Sequence, residues 1–402
     1  MAAITRILSI NSGSSSIKFA LFAFSGKEEK VLLTGAVERI GQSIGRIWLN
    51  QENHRILDRH EAFPGQDSAL QAIVGILGEM GTTHPDAIGH RIVSGGPYHQ
   101  THIPIDAQVL ADLRNALPFA PLHLPAEIAA IEALQKIWPD KMQVACLDTA
   151  FHQSLPEVSA RLPLPRNLWQ EGVRKYGFHG LSYEYIVSQL ADAGKAPSII
   201  AHLGNGASMA AVADGRCLDT TMGLTPTGGL IMGTRSGDLD PGVLLYLLTE
   251  KNYNAAQLER LLNHLSGLLG ISACSGDMQT LLAQRDQNPL AAEAIAQFAY
   301  SARKHIGSLM AVLGGVQRLI FTGGIGEHAA AIRWAICRPL AGLGFQLDPV
   351  ANTETSAGKT RKISTSTSPV EILVIPTDED LMIARHTRRL LGLTHSPAAH
   401  AP

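Results

Sequence analysis

The sequence predicts a two-domain α/β protein made by duplicating one unit. Three observations carry this: a length of 402 residues, more than one hydrophobic core usually organises; strand-like segments alternating with helix-like ones; and a strand–turn–strand opening that occurs twice, about half the chain apart. With 45% hydrophobic and 17% charged residues, the chain can bury enough apolar surface to offset the entropy of ordering it.

The first opening reads as a strand at 6–10, a polar Gly/Ser turn at 11–16 and a strand at 17–22. Further strand-like runs cover 31–38 and 46–49. Leu70, Ile73, Val74 and Leu77 then keep the i, i+3, i+4, i+7 spacing of an amphipathic helix. A strand at 87–93, helices at 107–117 and 126–137, and a strand at 142–147 running into Asp148 complete an α/β half. The second opening has a strand at 198–203, the turn Gly204-Asn205-Gly206-Ala207-Ser208 and a strand at 209–212. A long helical pattern at 290–313 follows, then a strand into Phe321-Thr322-Gly323-Gly324-Ile325-Gly326-Glu327. We place the domains at 1–148 plus a returning helix at 381–402, and at 149–380, with the ligand site in the cleft between them. The Ser/Thr run at 364–369 reads as a surface loop and the tail after Thr394 as a frayed end.

A net charge of −2 supplies no basic field for nucleic acid or an anionic membrane, so an anionic ligand must be held locally. Cys146, Cys217, Cys274 and Cys337 lie far apart with no C-x-x-C pair, which argues against a zinc knuckle or a disulfide framework and for a reducing compartment. The first residues lack a signal-peptide h-region, and no stretch approaches the ~18 apolar residues of a membrane span. A soluble, cytoplasmic protein is expected.

Turns rich in Gly and Ser can aim several backbone N–H groups at a phosphate, because glycine has no Cβ to block close approach. Singly, each such turn is more often a tight hairpin; the set of three after strands is what points to nucleotide. Two look-alikes are weaker. Gly358-Lys359-Thr360 ends like a Walker A loop, but Thr353 stands where its first glycine belongs. Gly324-Ile325-Gly326-Glu327-His328-Ala329 matches a dinucleotide fingerprint, yet the acid expected near 344 is Gly344, with Asp348 the nearest candidate.

Read together with the residues between them, the turns resemble the acetate kinase family, in its acetate and propionate kinase group, over nearly the whole chain. The likeness rests on Asn11-Ser12-Gly13-Ser14-Ser15-Ser16-Ile17-Lys18, Gly89-His90-Arg91-Ile92-Val93, Ala120-Pro121-Leu122-His123, Asp148-Thr149-Ala150-Phe151-His152 and Tyr176-Gly177-Phe178-His179-Gly180. It continues through His202-Leu203-Gly204-Asn205-Gly206, Met232-Gly233-Thr234-Arg235-Ser236-Gly237-Asp238, the Gly323 to Glu327 turn and Pro376-Thr377-Asp378-Glu379. It implies duplicated RNase-H-like domains of the actin/sugar-kinase superfamily around a central cleft. It also implies reversible, in-line transfer of the ATP γ-phosphoryl group to acetate, giving acetyl phosphate and ADP; Mg²⁺, with Mn²⁺ tolerated; and a homodimer.

The chemistry suits these residues. A carboxylic acid with a pKa of roughly 4.3 is already an ionised nucleophile at neutral pH, so no catalytic base is needed. A sugar kinase must instead deprotonate a hydroxyl. An acid kinase needs cations to bring two anions together. The resemblance assigns that work to Arg91 and Arg235, whose guanidinium forks match carboxylate and phosphate oxygens. It makes His179, with Arg235, a stabiliser of the phosphoryl group in flight, and His123 and Asn205 supporting donors. Asp148 orients the reaction centre; Asn11 and Glu379 hold the metal. Asn11, Ser14, Ser16, Lys18, His202, Leu203, Gly204, Asn205 and Gly206 surround the nucleotide phosphates, and Gly323, Gly324, Ile325, Gly326 and Glu327 the adenosine. For an arginine taken alone the commoner role is a structural ion pair. Thr377 could equally be an N-cap, with the acids after it complementing the helix dipole.

Val93, Leu122, Phe178 and Pro226 match the positions that line the family's acyl-methyl pocket. A β-branched residue at 93 favours acetate over propionate, by a margin limited to about 1–3 kcal/mol per methylene. Ser94, Leu124 and Thr227-Gly228 depart from the family pattern at the pocket rim, and Asp378 and Asp380 flank Glu379 where the family commonly has Asn and Glu. The rivals are a propionate or butyrate kinase, and an actin-like or chaperone-like ATP-binding protein without acid kinase activity.

Overall fold

The opening hairpin seeds the first sheet. In this computed structural model, which describes residues 4–13, 15–52, 54–80, 84–354 and 358–395, β1 (Thr5–Ser12) pairs antiparallel with β2 (Ser16–Ser25), with Asn11 opposite Lys18 and Ser12 opposite Ile17. Both strands extend into the predicted 11–16 turn, and the Gly13 N–H donates to the Ser16 carbonyl at 2.7 Å across what remains. The chain divides into two units, Met1–Ala150 with Asp378–Pro402, and Phe151–Thr377.

In the first unit β3 (Glu28–Glu38), β4 (Gly45–Gln51), β5 (His54–Glu61), β6 (Ala87–Ile92), β7 (Ile103–Pro104) and β8 (Met142–Leu147) complete a sheet of order β5-β4-β3-β2-β1-β6-β8-β7 among the described residues. β1, β6 and β8 run parallel, β2 pairs antiparallel with β1, and β3 antiparallel with β2. Both faces are covered, which is why the central strands read as nearly continuous apolar runs. Leu8, Ile10 and Phe19 join a cluster with Leu70, Ile73 and Leu77 of the helix Gln66–Glu79 and Leu134 of the helix Leu124–Ile137. Ile7, Phe22 and Phe24 face the other way, onto Ala384 of the helix Glu379–His395. β5 has no apolar alternation: it is a polar, mostly exposed edge strand, the form that discourages pairing with other chains.

The second unit repeats the plan. β9 (Ser198–Leu203), β10 (Ala207–Ala213), β11 (Arg216–Thr220), β12 (Arg318–Thr322), β13 (Arg361–Lys362) and β14 (Glu371–Val374) stand in the order β11-β10-β9-β12-β14-β13. β10 and β11 form an antiparallel meander with β9, and β9, β12 and β14 are parallel. Both sheets thus share a core of three meander strands (β1–β3, β9–β11) and two parallel ones (β6 and β8, β12 and β14) in the same order, the RNase-H-like topology present twice; β4, β5, β7 and β13 extend it at the edges. The helix Pro289–Leu313 starts at Asn288, whose side chain accepts from the N–H groups of Leu290 and Ala291, and buries the stripe Ala291, Ala294, Phe298, Ala302, Ile306 and Leu309.

Three expectations change in detail. The helix predicted at 107–117 stops at Asn115, and a 3₁₀ turn, Leu117–Phe119, takes over around Pro118. The glycines after β12 are not an open turn but a short helix, Gly323–His328. The 364–369 run is a surface loop, exposed at Ser366, Thr367 and Pro369, but it is anchored: Ser364 is buried and bridges to Leu347, and the Ser368 hydroxyl lies within hydrogen-bond distance of the Gly344 and Val370 carbonyls. Residues 396–402 of the predicted frayed tail lie outside the described residues.

Candidate active site

In the first unit, parallel strands deliver side chains to one sheet end. Arg91 lies on β6, Asn11 on β1, and Asp148 directly after β8. Arg91 Nη2 donates to Asp148 Oδ2 at 2.5 Å, and Arg91 Nη1 lies 3.4 Å from Asn11 Oδ1. The pair is buried, with 17% of the Arg91 side chain and none of the Asp148 side chain exposed. Among the described residues, Arg91 Nε has no hydrogen-bond partner. Burial opposes the guanidinium charge, but Asp148, Glu379 and Glu127 more than offset it and hold Arg91 protonated.

Val93 is buried just beyond β6, and its N–H donates to both carboxyl oxygens of Glu127, at 3.2 and 3.1 Å. Glu127 is 1% exposed, and burial pushes its carboxyl up to about 8, against the opposing pull of Arg91. Leu122 is half-buried ahead of the helix Leu124–Ile137, and His123 is that helix's N-cap residue, without a side-chain cap bond. The rim departures are structural here: the Ser94 hydroxyl accepts from Gly96 N–H, and Leu124 is wholly buried. Lys18 is exposed on β2 beside Ser16; Ser14 lies outside the described residues. Glu379 opens the helix Glu379–His395, and Asp378, not Thr377, caps it by accepting from Leu381 N–H at 2.9 Å. Thr377 Oγ1 is buried with no hydrogen-bond partner among the described residues.

In the second unit the predicted residues also gather. His179 takes a left-handed conformation, φ 60°, at the N-terminus of the helix Gly180–Gln189. Its ring stacks on His202 at 4.3 Å, and its Nδ1 lies 2.8 Å from the Ser208 hydroxyl. A Cβ on Gly206 would lie 3.3 Å from His179 Nε2 and 3.6 Å from Arg235 Nη1, so both side chains converge on this glycine. Arg235 Nη1 donates to the Pro226 carbonyl at 3.0 Å. Asn205 reaches the same loop through its carbonyl, which accepts from Gly233 N–H at 2.9 Å. Phe178 is fully buried, its carbonyl 3.0 Å from His152 Nε2.

A cavity of about 600 Å³ opens beside the glycine turns. Gly204, Asn205, Gly324 and Ile325 line it, and so do Asp277, Met278, Gln279 and Leu282, which the sequence reading did not single out. Asp277 is an ordinary N-cap, accepting from Thr280 N–H, so nothing local marks its helix as a cavity wall. Gly323 and Gly326 are buried, and Glu327 braces backbone: its Oε1 accepts from the N–H groups of Gly323 and Thr377 at 2.9 and 3.1 Å. Neither look-alike survives. Asp348 caps the short helix Pro349–Thr353, and Gly358-Lys359-Thr360 runs into β13 rather than into a helix.

Glu127 was the other residue missed, and a signal for it existed. Leu124, Glu127, Ile131 and Leu134 are spaced three, four and three apart, which puts a carboxyl on an otherwise apolar helical stripe.

The duplicated RNase-H-like topology, with an arginine–carboxylate cluster in one unit and a glycine-lined cavity in the other, is that of a carboxylate phosphotransferase. The chain belongs to the acetokinase family, whose model matches residues 6–385. An acetate kinase of Rhodopseudomonas palustris is 47% identical over 395 residues, covering 96% of this chain and 98% of that protein; one from Dichelobacter nodosus is 42% identical over 96% of this chain and 99% of its own. The crystal structure of Porphyromonas gingivalis acetate kinase matches with a TM-score of 0.86 at 36% identity, over 96% of this chain and 100% of that one. That of a propionate kinase from Francisella tularensis subsp. tularensis matches with 0.89 at 38% identity, over 96% and 99%.

Proposed function

We infer that this chain catalyses reversible transfer of the γ-phosphoryl group of ATP to acetate. The observation that carries the acid rather than the sugar reading is the Arg91–Asp148 pair. The carboxylate that could have served as a base is committed to a guanidinium at 2.5 Å, and an ionised acid needs no base. On this reading Arg91 holds the acceptor carboxylate, while Val93, Leu122, Phe178 and Pro226 surround the methyl group. Arg235 and His179 stabilise charge on the transferring phosphoryl group, supported by His123 and Asn205. Asn11, Ser14, Ser16, Lys18 and the His202 to Gly206 turn take the nucleotide phosphates, and the cavity beside Gly324 takes the adenosine.

Asn11, Asp148 and Glu379 offer oxygen donors of the type Mg²⁺ selects. Asn11 and Glu379 would hold the ion, which when bound neutralises charge on the phosphates. The reading takes the protein as cytoplasmic, with its cysteines reduced; among the described residues no helix is long and apolar enough to cross a membrane. It also takes the chain as a homodimer. The helix Pro241–Thr249 supports this: Val243, Leu245, Tyr246 and Leu248 are 41, 62, 50 and 40% exposed on one short segment, an apolar patch of the kind a partner covers.

The Francisella relative favours a second reading, propionate as the preferred acid. Trapping acyl phosphate with hydroxylamine, from Mg-ATP and equal acetate, propionate and butyrate, separates the two. Acetate is expected to give the strongest signal, and Arg91→Ala to lower kcat/KM by about 10²–10³-fold, as for loss of a preorganised charge donor. A stronger propionate signal would transfer the substrate assignment, and folded, ATP-binding protein that makes no acyl phosphate would overturn the function.

A further inference from the structure

Residues 91–93 are clamped from several directions. The Arg91 side chain is held by Asp148, the Ile92 carbonyl accepts from Asp148 N–H at 2.9 Å, and the Val93 N–H is held by Glu127. Two of these contacts come from the end of β8. The third comes from a separate element, the helix Leu124–Ile137, through a carboxyl buried among Leu124, Ile128 and Ile131. A carboxyl in such surroundings is costly unless something fixes it, and its hydrogen bonds go to one backbone donor at the acid site.

We propose that Glu127 is a positioning residue for the acid site, clamping the backbone of Val93 so that the valine side chain and the neighbouring Arg91 guanidinium present one fixed distance to the acyl chain. The inference rests on the assignment of Arg91 and Val93 to the acid. Without the clamp, Val93 shifts away from the acyl group, and the site binds acetate more weakly and discriminates less against a longer acid. Glu127 also sets a charge. Arg91 on β6 favours its ionised form and Asp148 after β8 disfavours it, the net result being a carboxyl pushed up by burial to about 8. As pH rises through that value, a negative charge appears near Arg91 and opposes the incoming carboxylate.

Steady-state kinetics for acetate, propionate and ATP on wild type, Glu127→Ala, Glu127→Gln and Arg91→Ala test this. Glu127→Ala is expected to raise the acetate KM roughly tenfold, about the scale of one lost buried hydrogen bond, with little change in the ATP KM and a smaller acetate-over-propionate ratio. Glu127→Gln, whose amide oxygen still accepts from Val93 N–H, should restore the ratio, and should abolish the rise in acetate KM that wild type shows as pH passes about 8. If folded Glu127→Ala keeps the wild-type acetate KM and acid ratio, or if Glu127→Gln keeps the wild-type pH profile, the proposal fails. If Arg91→Ala leaves the acetate KM unchanged, the assignment beneath it fails instead.

Discussion

Gly89, on β6 two residues before Arg91, has no room for a side chain: a Cβ there would lie 2.3 Å from Thr387 Oγ1 and 2.5 Å from Ile383 Cγ2. Both neighbours belong to the helix Glu379–His395, which packs tightly over the strand that delivers the arginine. A Cβ on Gly75, in the exposed middle of the helix Gln66–Glu79, would meet nothing within 4 Å beyond its own helix backbone. Opposite outcomes follow for one substitution. Gly89→Ala should lower stability by about 1–3 kcal/mol through overpacking, and Gly75→Ala should raise it by up to about 1 kcal/mol through helix propensity. Denaturant midpoints measured on both variants check the signs. Gly89 is legible in sequence as part of a family motif, but the reason for it comes from a helix about 300 residues away in the chain, which local pattern cannot report.

At the scale of elements, the helix Pro241–Thr249 has none of its residues buried although its sequence, Pro-Gly-Val-Leu-Leu-Tyr-Leu-Leu-Thr, is almost wholly apolar. The adjoining helix Ala255–His264 also buries nothing. If a second copy covers this surface, Leu245→Glu combined with Leu248→Glu should convert a dimer to a monomer in sedimentation equilibrium, since two charges would be desolvated at the interface core. An unchanged dimer would remove this helix from the interface. Sequence pattern marks the segment as apolar, not as exposed, because periodicity cannot tell a partner-covered helix from a core one.

For the whole molecule, buried histidines and buried carboxyls set the pH range of stability in opposite senses. Burial holds His90 in the first unit and His152 in the second at about 4, below their ordinary 6.5. The unfolded chain therefore binds protons that the folded one refuses, and stability is lost as pH falls from 6.5 towards 4, by about 3 kcal/mol per histidine. Glu127 acts in the opposite sense. Its raised value lets the folded chain keep a proton that the unfolded chain has released, so stability falls as pH rises from the ordinary 4.5 to about 8. Between 4.5 and 6 Glu127 and Asp380, which burial raises from 3.8 to about 6, offset the two histidines; from 6 to 6.5 the histidines outweigh Glu127, and from 6.5 to 8 Glu127 dominates, removing about 2 kcal/mol. Urea midpoints should peak near neutral pH, and Glu127→Gln should flatten the alkaline side.

The sequence by itself determined the duplicated α/β plan, the glycine turns and the members of both residue clusters, because apolar periodicity and short motifs are local properties of the chain. Arg91, Asn11 and Asp148 could be named before their contacts were known, as could His179, Gly206 and Arg235. Tertiary structure decided how each is used. Asp148 is tied to Arg91 because parallel strands end side by side, Glu327 braces backbone rather than facing outward, and Thr377 yields its capping role to Asp378. Glu127 reaches the Val93 N–H because the helix that carries it packs against β6, a juxtaposition that depends on chain crossovers and not on any neighbouring residue.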